Sequence, residues 1–308
     1  MRRVCLNKVH ELARRDERVL YIGSDPAPGT LEDMEIEFPD RVFIEGIAEA
    51  HVIGMAAGLA MEGYVPFVNT IATFLTRRCY EQIAVDLCVH NLPVRLIANG
   101  GGMVYSPLGP THEAIEDIAI MRSLPNMTVV CVSDKEEMAV MMEETLDWPG
   151  PIYIRLGKGG DPIVSSSKDN FKLGKAIIKR PGKDVVITTT GIMVKRCLDA
   201  AEILSNQGIS CSVMHLPTVK PLDVDAIVTA IDGARLLVSV EEHLLAGGLG
   251  SYIIESLVDR DGLTLPKVKR LGLRDQFATH YGTQDQHLQF NGLDAEGIAK
   301  SIKSALPS

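Results

Sequence analysis

Short apolar runs rich in β-branched residues alternate with segments of helical periodicity along the whole chain. In the first half these runs lie at residues 19–22, 65–68, 94–98, 128–132 and 152–155. A strand buried on both faces is apolar throughout, and parallel neighbours need a crossover helix between them. The alternation therefore predicts an α/β fold with mainly parallel sheets flanked by helices.

The segments between these runs carry the spacing of helices. We predict helices over residues 6–15, 49–62, 74–89, 115–123 and 135–146, and Gly63 stands where a helix-ending residue belongs. The resulting order of strands and helices is that of one doubly covered sheet.

The pattern changes after Ile154, where glycines and then serines dominate a polar stretch. Such a composition favours a linker, which we place at 166–182 between a first domain at 1–165 and a second at 183–308. In the second domain the pattern predicts strands at 185–189, 209–214, 236–240 and 268–271 and helices at 194–206, 223–230, 248–258 and 294–304.

Composition agrees with two folded domains and narrows the partners. The 308 residues are 46% hydrophobic and 23% charged, enough apolar material for two cores. The formal net charge is −9 and the lysines and arginines form no dense run, so the basic surface that nucleic acid requires is missing.

No window reaches the roughly 18 apolar residues of a membrane span, and no secretory signal pattern is present. The six cysteines are scattered without a CxxC pair, which favours reduced, packed thiols. We therefore expect a cytoplasmic protein without a structural metal.

The helix that begins at Glu49 is small and apolar on every side, so we expect it to be packed deeply or at a subunit interface. A carboxyl in such a poorly hydrated place needs either a partner or a proton. The alternative is a first-turn glutamate that merely complements the helix dipole.

Two loops follow predicted strands and could carry chemistry. A glycine-rich run at 100–102 leads to His112, just before a helix, at the sheet edge where ligands bind in α/β folds. His112 could equally be a hydrogen-bonding residue at a helix start, and the glycines a mobile lid. The second loop, Glu241 to Gly250, suggests a phosphate loop but lacks its full spacing, so close packing explains it better.

Several separate motifs, in order, resemble the transketolase family of thiamine-diphosphate enzymes. They are Phe38-Pro-Asp-Arg-Val-Phe, Gly46-Ile-Ala-Glu-Ala-His, Gly109-Pro-Thr-His-Glu-Ala-Ile-Glu-Asp, Leu124-Pro-Asn-Met, Val240-Glu-Glu-His with Gly247-Gly-Leu-Gly, and Tyr281-Gly-Thr. The resemblance spans nearly the whole chain. It implies a pyrimidine-binding domain followed by the family's C-terminal domain.

The family's diphosphate-binding domain, with its GDG…N signature, has no counterpart in this sequence. The resemblance therefore implies half of a split enzyme, whose amino-terminal partner subunit holds the diphosphate of thiamine diphosphate through Mg²⁺, or through Ca²⁺ or Mn²⁺. Because a thiamine site is shared between chains, an α2β2 heterotetramer is the simplest assembly.

The resemblance also implies roles for individual residues. Glu49 falls on the glutamate that hydrogen-bonds N1′ of the aminopyrimidine and so promotes activation of thiazolium C2. Phe74 matches the aromatic residue that stacks on the pyrimidine, with ordinary core packing as the alternative, and Ile71 stands where relatives often have a second ring. His112 matches a histidine that contacts the substrate oxygen and moves protons.

Two further cofactor contacts follow from the resemblance. Arg77 aligns with an arginine of deoxyxylulose-phosphate synthases, although the adjacent Arg78 leaves that register open. Asp25 matches an aspartate near the thiazolium, here within Gly-Ser-Asp-Pro.

The substrate positions depart from ordinary transketolases. Pro107 and Leu108 replace an acidic pair whose aspartate contacts a sugar hydroxyl, and Gly100 replaces a histidine that binds the acceptor phosphate. Arg155 still matches a phosphate-binding arginine. Since loss of a hydrogen-bonding partner alters specificity strongly, the donor could be a ketose, a modified sugar or a small 2-oxo acid.

The leading hypothesis is a transketolase-like subunit of carbohydrate metabolism that transfers a two-carbon ketol unit to an aldehyde. The alternatives are the beta subunit of a 2-oxo-acid dehydrogenase, an enzyme like deoxyxylulose-phosphate synthase, and a non-catalytic partner that stabilises or regulates another thiamine enzyme.

Overall fold

The computed structural model describes residues 1–24, 31–157 and 159–307. Within these ranges the first domain contributes six strands to one parallel sheet. Its strands are β1 (Val19–Gly23), β2 (Val42–Ile44), β3 (Val65–Ile71), β4 (Arg95–Asn99), β5 (Thr128–Cys131) and β6 (Ile152–Leu156), in the spatial order β5-β6-β4-β3-β1-β2. Its helices are α1 (Arg2–Arg15), α2 (Glu32–Glu37), α3 (Glu49–Met61), α4 (Ala72–Gln82), α5 (Asp117–Arg122) and α6 (Lys135–Thr145).

The second domain forms another mainly parallel sheet. Its order is β12-β11-β8-β9-β7, with β7 antiparallel at the edge. The strands are β7 (Ile177–Arg180), β8 (Val185–Thr189), β9 (Cys211–His215), β10 (Thr218–Lys220), β11 (Leu236–Leu244) and β12 (Lys267–Leu273). The helices are α7 (Met193–Ser205), α8 (Val224–Ile231), α9 (Leu249–Val258), α10 (Gln284–Phe290) and α11 (Ala295–Ala305).

The predicted α/β class with two parallel sheets is confirmed, because the central strands are buried from end to end as their composition requires. The helix predicted over residues 74–89 begins two residues earlier, and after Gln82 it continues as a π-helical segment, Ile83–Cys88. All six cysteines are free and buried, as predicted.

The segment predicted as a linker contains a strand. Residues 166–182 contain β7, which pairs with β9, so part of the predicted linker belongs to the second sheet. Conversely, strand β10 of the second domain pairs with β5 and forms an antiparallel edge of the first sheet. One cluster of buried side chains joins both domains, including Ala114, Ile118, Leu216 and Ile253. This buried cluster therefore extends across the interface between the two domains.

None of the helices in the described ranges is long and apolar enough to cross a membrane.

Candidate active site

The candidate site lies at the carboxyl ends of neighbouring strands in the first sheet. Strand β1 is flanked by β2 on one side and β3 on the other, and this reversal of strand order is the position where α/β sheets open a ligand crevice. Helix α3 begins soon after β2, α4 follows β3 directly, and the glycine-rich loop follows β4. The fold therefore brings three of the predicted segments to one edge.

Buried polar side chains connect the ends of these strands. The Asn99 amide donates to Asn69 Oδ1 at 2.5 Å, and Asn69 Nδ2 donates to the Tyr21 hydroxyl at 2.8 Å. Sequence reasoning missed this network because each asparagine stands singly in an apolar run.

Glu49 opens α3 and is only 5% exposed. Its Oε2 accepts a hydrogen bond from Arg78 Nη1 at 3.1 Å. The carboxylate therefore has the partner that its poorly hydrated position demands, at the helix end where negative charge is favourable.

Arg78 also connects Glu49 with the aromatic candidate. The guanidinium carbon lies 4.0 Å from the centroid of the Phe74 ring, a cation–π contact. The Phe74 ring in turn meets the His112 ring edge-on, with centroids 5.2 Å apart. Glu49, Arg78, Phe74 and His112 thus form one continuous series of contacts, which we call the Glu49–His112 series.

The structure shows that the two adjacent arginines make different contacts. Arg78, rather than Arg77, lies beside Glu49 and Phe74. Arg77 is directed to the turn that carries His112, where it pairs with Glu116 and donates to backbone carbonyls. Of the two, Arg78 is therefore the one in contact with Glu49 and Phe74.

His112 and Ile71 occupy partly buried positions. Thr111 Oγ1 lies 2.9 Å from His112 Nδ1. Ile71 ends β3 and is the N-cap residue of α4, three residues before Phe74. Asp25 lies outside the described residues.

The glycine-rich loop is packed rather than lid-like. Gly100 has a φ of +76°, and a side chain there would collide with the ring of Tyr105 at 2.1 Å. Gly102 and Ala114 exchange backbone hydrogen bonds of 2.9 and 3.0 Å, which anchor the loop. Leu108 is 56% exposed beyond this anchored part.

Arg155 lies inside the protein. Its Nε donates to Asp117 Oδ2 at 2.7 Å, and its Nη2 donates to the carbonyls of Ala114 and Glu242 at 3.2 and 2.9 Å. Arg155 is 8% exposed and Asp117 fully buried. None of these contacts is with a residue of the Glu49–His112 series, and the bond to the Glu242 carbonyl favours a role in joining the domains.

In the second glycine loop, a carboxyl group of the chain itself lies at the start of the following helix. Glu241 accepts hydrogen bonds from the backbone amides of Leu249 and Gly250 at 2.7 and 2.9 Å, at the start of α9. Burial raises the pKa of the Glu241 carboxyl, against the opposing effect of His243. A carboxylate of the chain thus occupies the place of a phosphate, in agreement with the packing interpretation.

Glu113 is a functional candidate that sequence reasoning missed. It is 0% exposed, and its carboxyl oxygens have no hydrogen-bond partner among the described residues. Burial raises the pKa of this carboxyl, although the charge of Arg77 opposes the shift. The sequence hides it because glutamate beside His112 looks like an ordinary first-turn residue.

Comparison with known proteins identifies the family. The model of the transketolase pyrimidine-binding domain matches residues 1–160, and that of the transketolase C-terminal domain matches residues 174–298. The chain belongs to the transketolase family and consists of these two domains over the matched ranges. The resemblance inferred from the sequence motifs is confirmed.

Two relatives differ in how much of their length corresponds to this chain. The "Putative transketolase C-terminal section" of Methanocaldococcus jannaschii is 35% identical over 295 residues, which cover 95% of this chain and 92% of that protein. The 1-deoxy-D-xylulose-5-phosphate synthase 1 of Geobacter sulfurreducens is 38% identical over 300 residues, 96% of this chain and 46% of that protein. The chain thus spans about half the length of the synthases it matches.

Solved structures support the same family. The structure described as "Split gene transketolase, inactive beta4 tetramer" has a TM-score of 0.90 at 34% identity and covers 99% of this chain and 97% of its own. A transketolase from Campylobacter jejuni has a TM-score of 0.77 at 18% identity, covering 97% of this chain and 46% of its own, and shows the common fold.

Proposed function

We propose that this chain is the C-terminal subunit of a two-component, thiamine-diphosphate-dependent enzyme that transfers a two-carbon ketol unit from a ketose or related donor to an aldehyde. The observation that carries the proposal is the Glu49–His112 series, which brings a buried carboxylate, an aromatic ring and a histidine together in one set of contacts. These are the groups needed to hold a pyrimidine and move protons beside it.

The residues fit the pyrimidine end of the cofactor. Glu49 is a buried carboxylate, and its hydrogen-bond partner Arg78 is half exposed. The Arg78 side chain can therefore move aside so that a ring nitrogen approaches the Glu49 carboxylate. Phe74 is partly exposed, with the Arg78 guanidinium over one face, so we assign stacking on the pyrimidine to the opposite face. When bound, thiamine diphosphate supplies a carbon nucleophile that stabilises negative charge after bond cleavage.

The chain's own contribution is proton handling and orientation. Glu49 would share a proton with N1′ of the pyrimidine, and the low-dielectric surroundings of α3 would strengthen that hydrogen bond. Since Thr111 engages Nδ1 of His112, we assign proton exchange with the substrate oxygen to Nε2. We expect Ile71 and Asp25 to complete the cofactor contacts.

We further propose that a separate amino-terminal subunit binds the diphosphate and its Mg²⁺ or similar cation. Two observations support this division. The chain matches the pyrimidine-binding and C-terminal domains, and a relative of nearly equal length is named as a C-terminal section. The neighbouring structure described as a split-gene transketolase agrees, and an α2β2 assembly is the simplest arrangement.

A second candidate is chemistry like that of 1-deoxy-D-xylulose-5-phosphate synthase. The identity of 38% to such a synthase supports it. So does the exposed, apolar Leu108, which cannot accept a hydrogen bond from a sugar hydroxyl. In this case the donor would be a 2-oxo acid that loses CO₂ rather than a ketose.

The test is reconstitution. The chain should be co-expressed with a candidate amino-terminal subunit that carries a GDG…N signature, sought first among the sequences encoded next to it, and purified with thiamine diphosphate and Mg²⁺. Ketose phosphates, free ketoses and 2-oxo acids are then offered with an aldehyde acceptor. Ketol transfer without CO₂ supports the leading proposal, whereas CO₂ release supports the second. Full turnover by the isolated chain would contradict the two-component enzyme.

A further inference from the structure

Arg77 binds the turn that carries His112 on both sides of the histidine. Its Nη1 donates to the Pro110 carbonyl at 3.3 Å, and its Nη2 donates to the Glu113 carbonyl at 2.8 Å. One guanidinium on α4 therefore spans the whole of the turn in which His112 lies.

The charge of Arg77 is balanced within the same cluster. Glu116 accepts hydrogen bonds from Nε and from Nη2, the latter at 3.0 Å. The carboxylate orients the guanidinium plane, and two of the three remaining N–H groups donate to backbone carbonyls. A planar fork with several fixed donors suits this arrangement, whereas a lysine ammonium cannot span it.

The rest of the loop is anchored by other means. Ala114 exchanges hydrogen bonds with Gly102, and the Ile115 carbonyl accepts from the Leu244 amide at 2.9 Å. Within the turn itself, the His112 amide donates a hydrogen bond to the Gly109 carbonyl at 2.9 Å. Among the described residues, it is Arg77 that ties the Pro110 and Glu113 carbonyls to the domain.

We propose that Arg77 is a positioning residue that holds His112 in its place against Phe74. This inference rests on the proposed function, in which His112 contacts the substrate. Arg77 and Arg78, which are adjacent in α4, then have different roles. Successive residues of a helix point about 100° apart, so one arginine reaches the His112 turn and the other reaches Glu49.

The test compares Arg77→Met, which keeps the apolar stem, with Arg77→Lys, which keeps the charge. Arg260→Met is the matched control, because it removes an exposed arginine–carboxylate pair, with Asp225, on the second domain. In the full chain, hydrogen exchange is followed by mass spectrometry over residues 108–116, and the ring signal of His112 is followed by NMR. Kinetics are measured in the reconstituted complex.

In Arg77→Met we expect faster exchange in the 108–116 segment, a displaced His112 ring signal and a kcat lower on the order of 10²-fold, with KM for the cofactor little changed. Arg77→Lys should recover part of the kcat. Arg260→Met should leave all readouts as in the wild type.

An unchanged exchange rate and ring signal in Arg77→Met would overturn the proposal. So would a normal kcat despite faster exchange, because His112 would then not need this anchor. If Arg77→Met fails to fold, Arg77→Lys decides on the same readouts. If the wild-type complex turns over no donor, the proposed function fails, while the exchange and NMR measurements still decide whether Arg77 holds the histidine.

Discussion

The guanidinium carbon of Arg78 lies 4.0 Å from the centroid of the Phe74 ring, and the same guanidinium donates to Glu49. One side chain thus links the acid on α3 to the aromatic ring on α4, two segments separated by a whole strand. The contact defines the site more sharply than either residue alone, because it places the carboxylate beside the ring on which a pyrimidine could stack.

The first prediction concerns Glu49. In the reconstituted complex, Glu49→Gln should lower kcat by roughly 10²–10⁴-fold, the usual contribution of a positioned proton-transfer group. The amide keeps the shape and a hydrogen-bonding capacity but cannot exchange the proton. Steady-state kinetics and analytical ultracentrifugation should be measured together.

Glu62→Gln, at the exposed end of the same helix, is the matched control and should behave as the wild type. Normal assembly and an unaltered kcat in Glu49→Gln would favour the non-catalytic alternative instead.

The second prediction concerns substrate choice at Leu108. Because this side chain is 56% exposed, Leu108→Asp should change the free energy of unfolding by no more than about 0.5 kcal/mol. The introduced carboxylate should raise kcat/KM for polyhydroxylated donors relative to donors without hydroxyl groups. The ratio of the two kcat/KM values is the measurement.

Leu108→Asn controls for polarity without charge and should give a smaller change. An equal ratio in Leu108→Asp and the wild type would place the donor's hydroxyl groups elsewhere.

The third prediction concerns Glu113 and pH. Burial raises the pKa of this carboxyl, so the folded state holds its proton at pH values where the unfolded state has lost it. The free energy of unfolding should therefore fall as pH rises from the ordinary value of 4.5 through the raised pKa. Over that window the free energy of unfolding of Glu113→Gln should rise relative to that of the wild type, by at most about 1.4 kcal/mol per pH unit.

Urea unfolding at several pH values provides the comparison. Glu241 and Glu242 also have raised pKa values from burial and contribute to the wild-type slope, but the difference between wild type and Glu113→Gln cancels them. Parallel pH curves for the two proteins would show that Glu113 is ionised in the folded state.

The fourth prediction concerns the buried ion pair of Arg155 and Asp117. Asp117 also accepts from the Tyr153 hydroxyl at 2.8 Å, and replacing it with asparagine keeps an acceptor oxygen but removes the negative charge that neutralises the buried Arg155. Asp117→Asn should lower the free energy of unfolding by roughly 3–5 kcal/mol. Tyr153→Phe removes one neutral donor and should cost about 1 kcal/mol.

Denaturant titrations of both variants give these values. A cost for Asp117→Asn no larger than that for Tyr153→Phe would mean that the ion pair does not secure the core, and would return Arg155 to the candidates for a substrate contact.

Much of the architecture follows from local pattern. The strand predicted over residues 185–189 coincides with β8, and the predicted helix starting at Glu49 coincides with the start of α3. Such elements are long and uniformly apolar or periodic, so neighbours along the chain already specify them. The short elements β7 and β10 were missed because three or four residues carry little periodicity, and their pairing partners lie far away in sequence.

The candidate site, too, was predicted only in part from the sequence. The motifs pointed to Glu49, Phe74 and His112, and tertiary structure places these three in one series. The sequence could not decide between Arg77 and Arg78, since adjacent residues of a helix have equal local surroundings. It could not show that Arg155 faces Asp117, because a strand pattern does not specify what lies across the domain interface.

By itself, then, the sequence determined the α/β class, the order of its main elements and the family, because these depend on short-range periodicity and on motifs of contiguous residues. Only the tertiary structure decided which arginine meets Glu49, where the Arg155 charge is neutralised and that the buried Glu113 carboxyl has no hydrogen-bond partner in the described part of the chain. Those outcomes depend on which segments, distant in sequence, pack together and how much water their packing excludes.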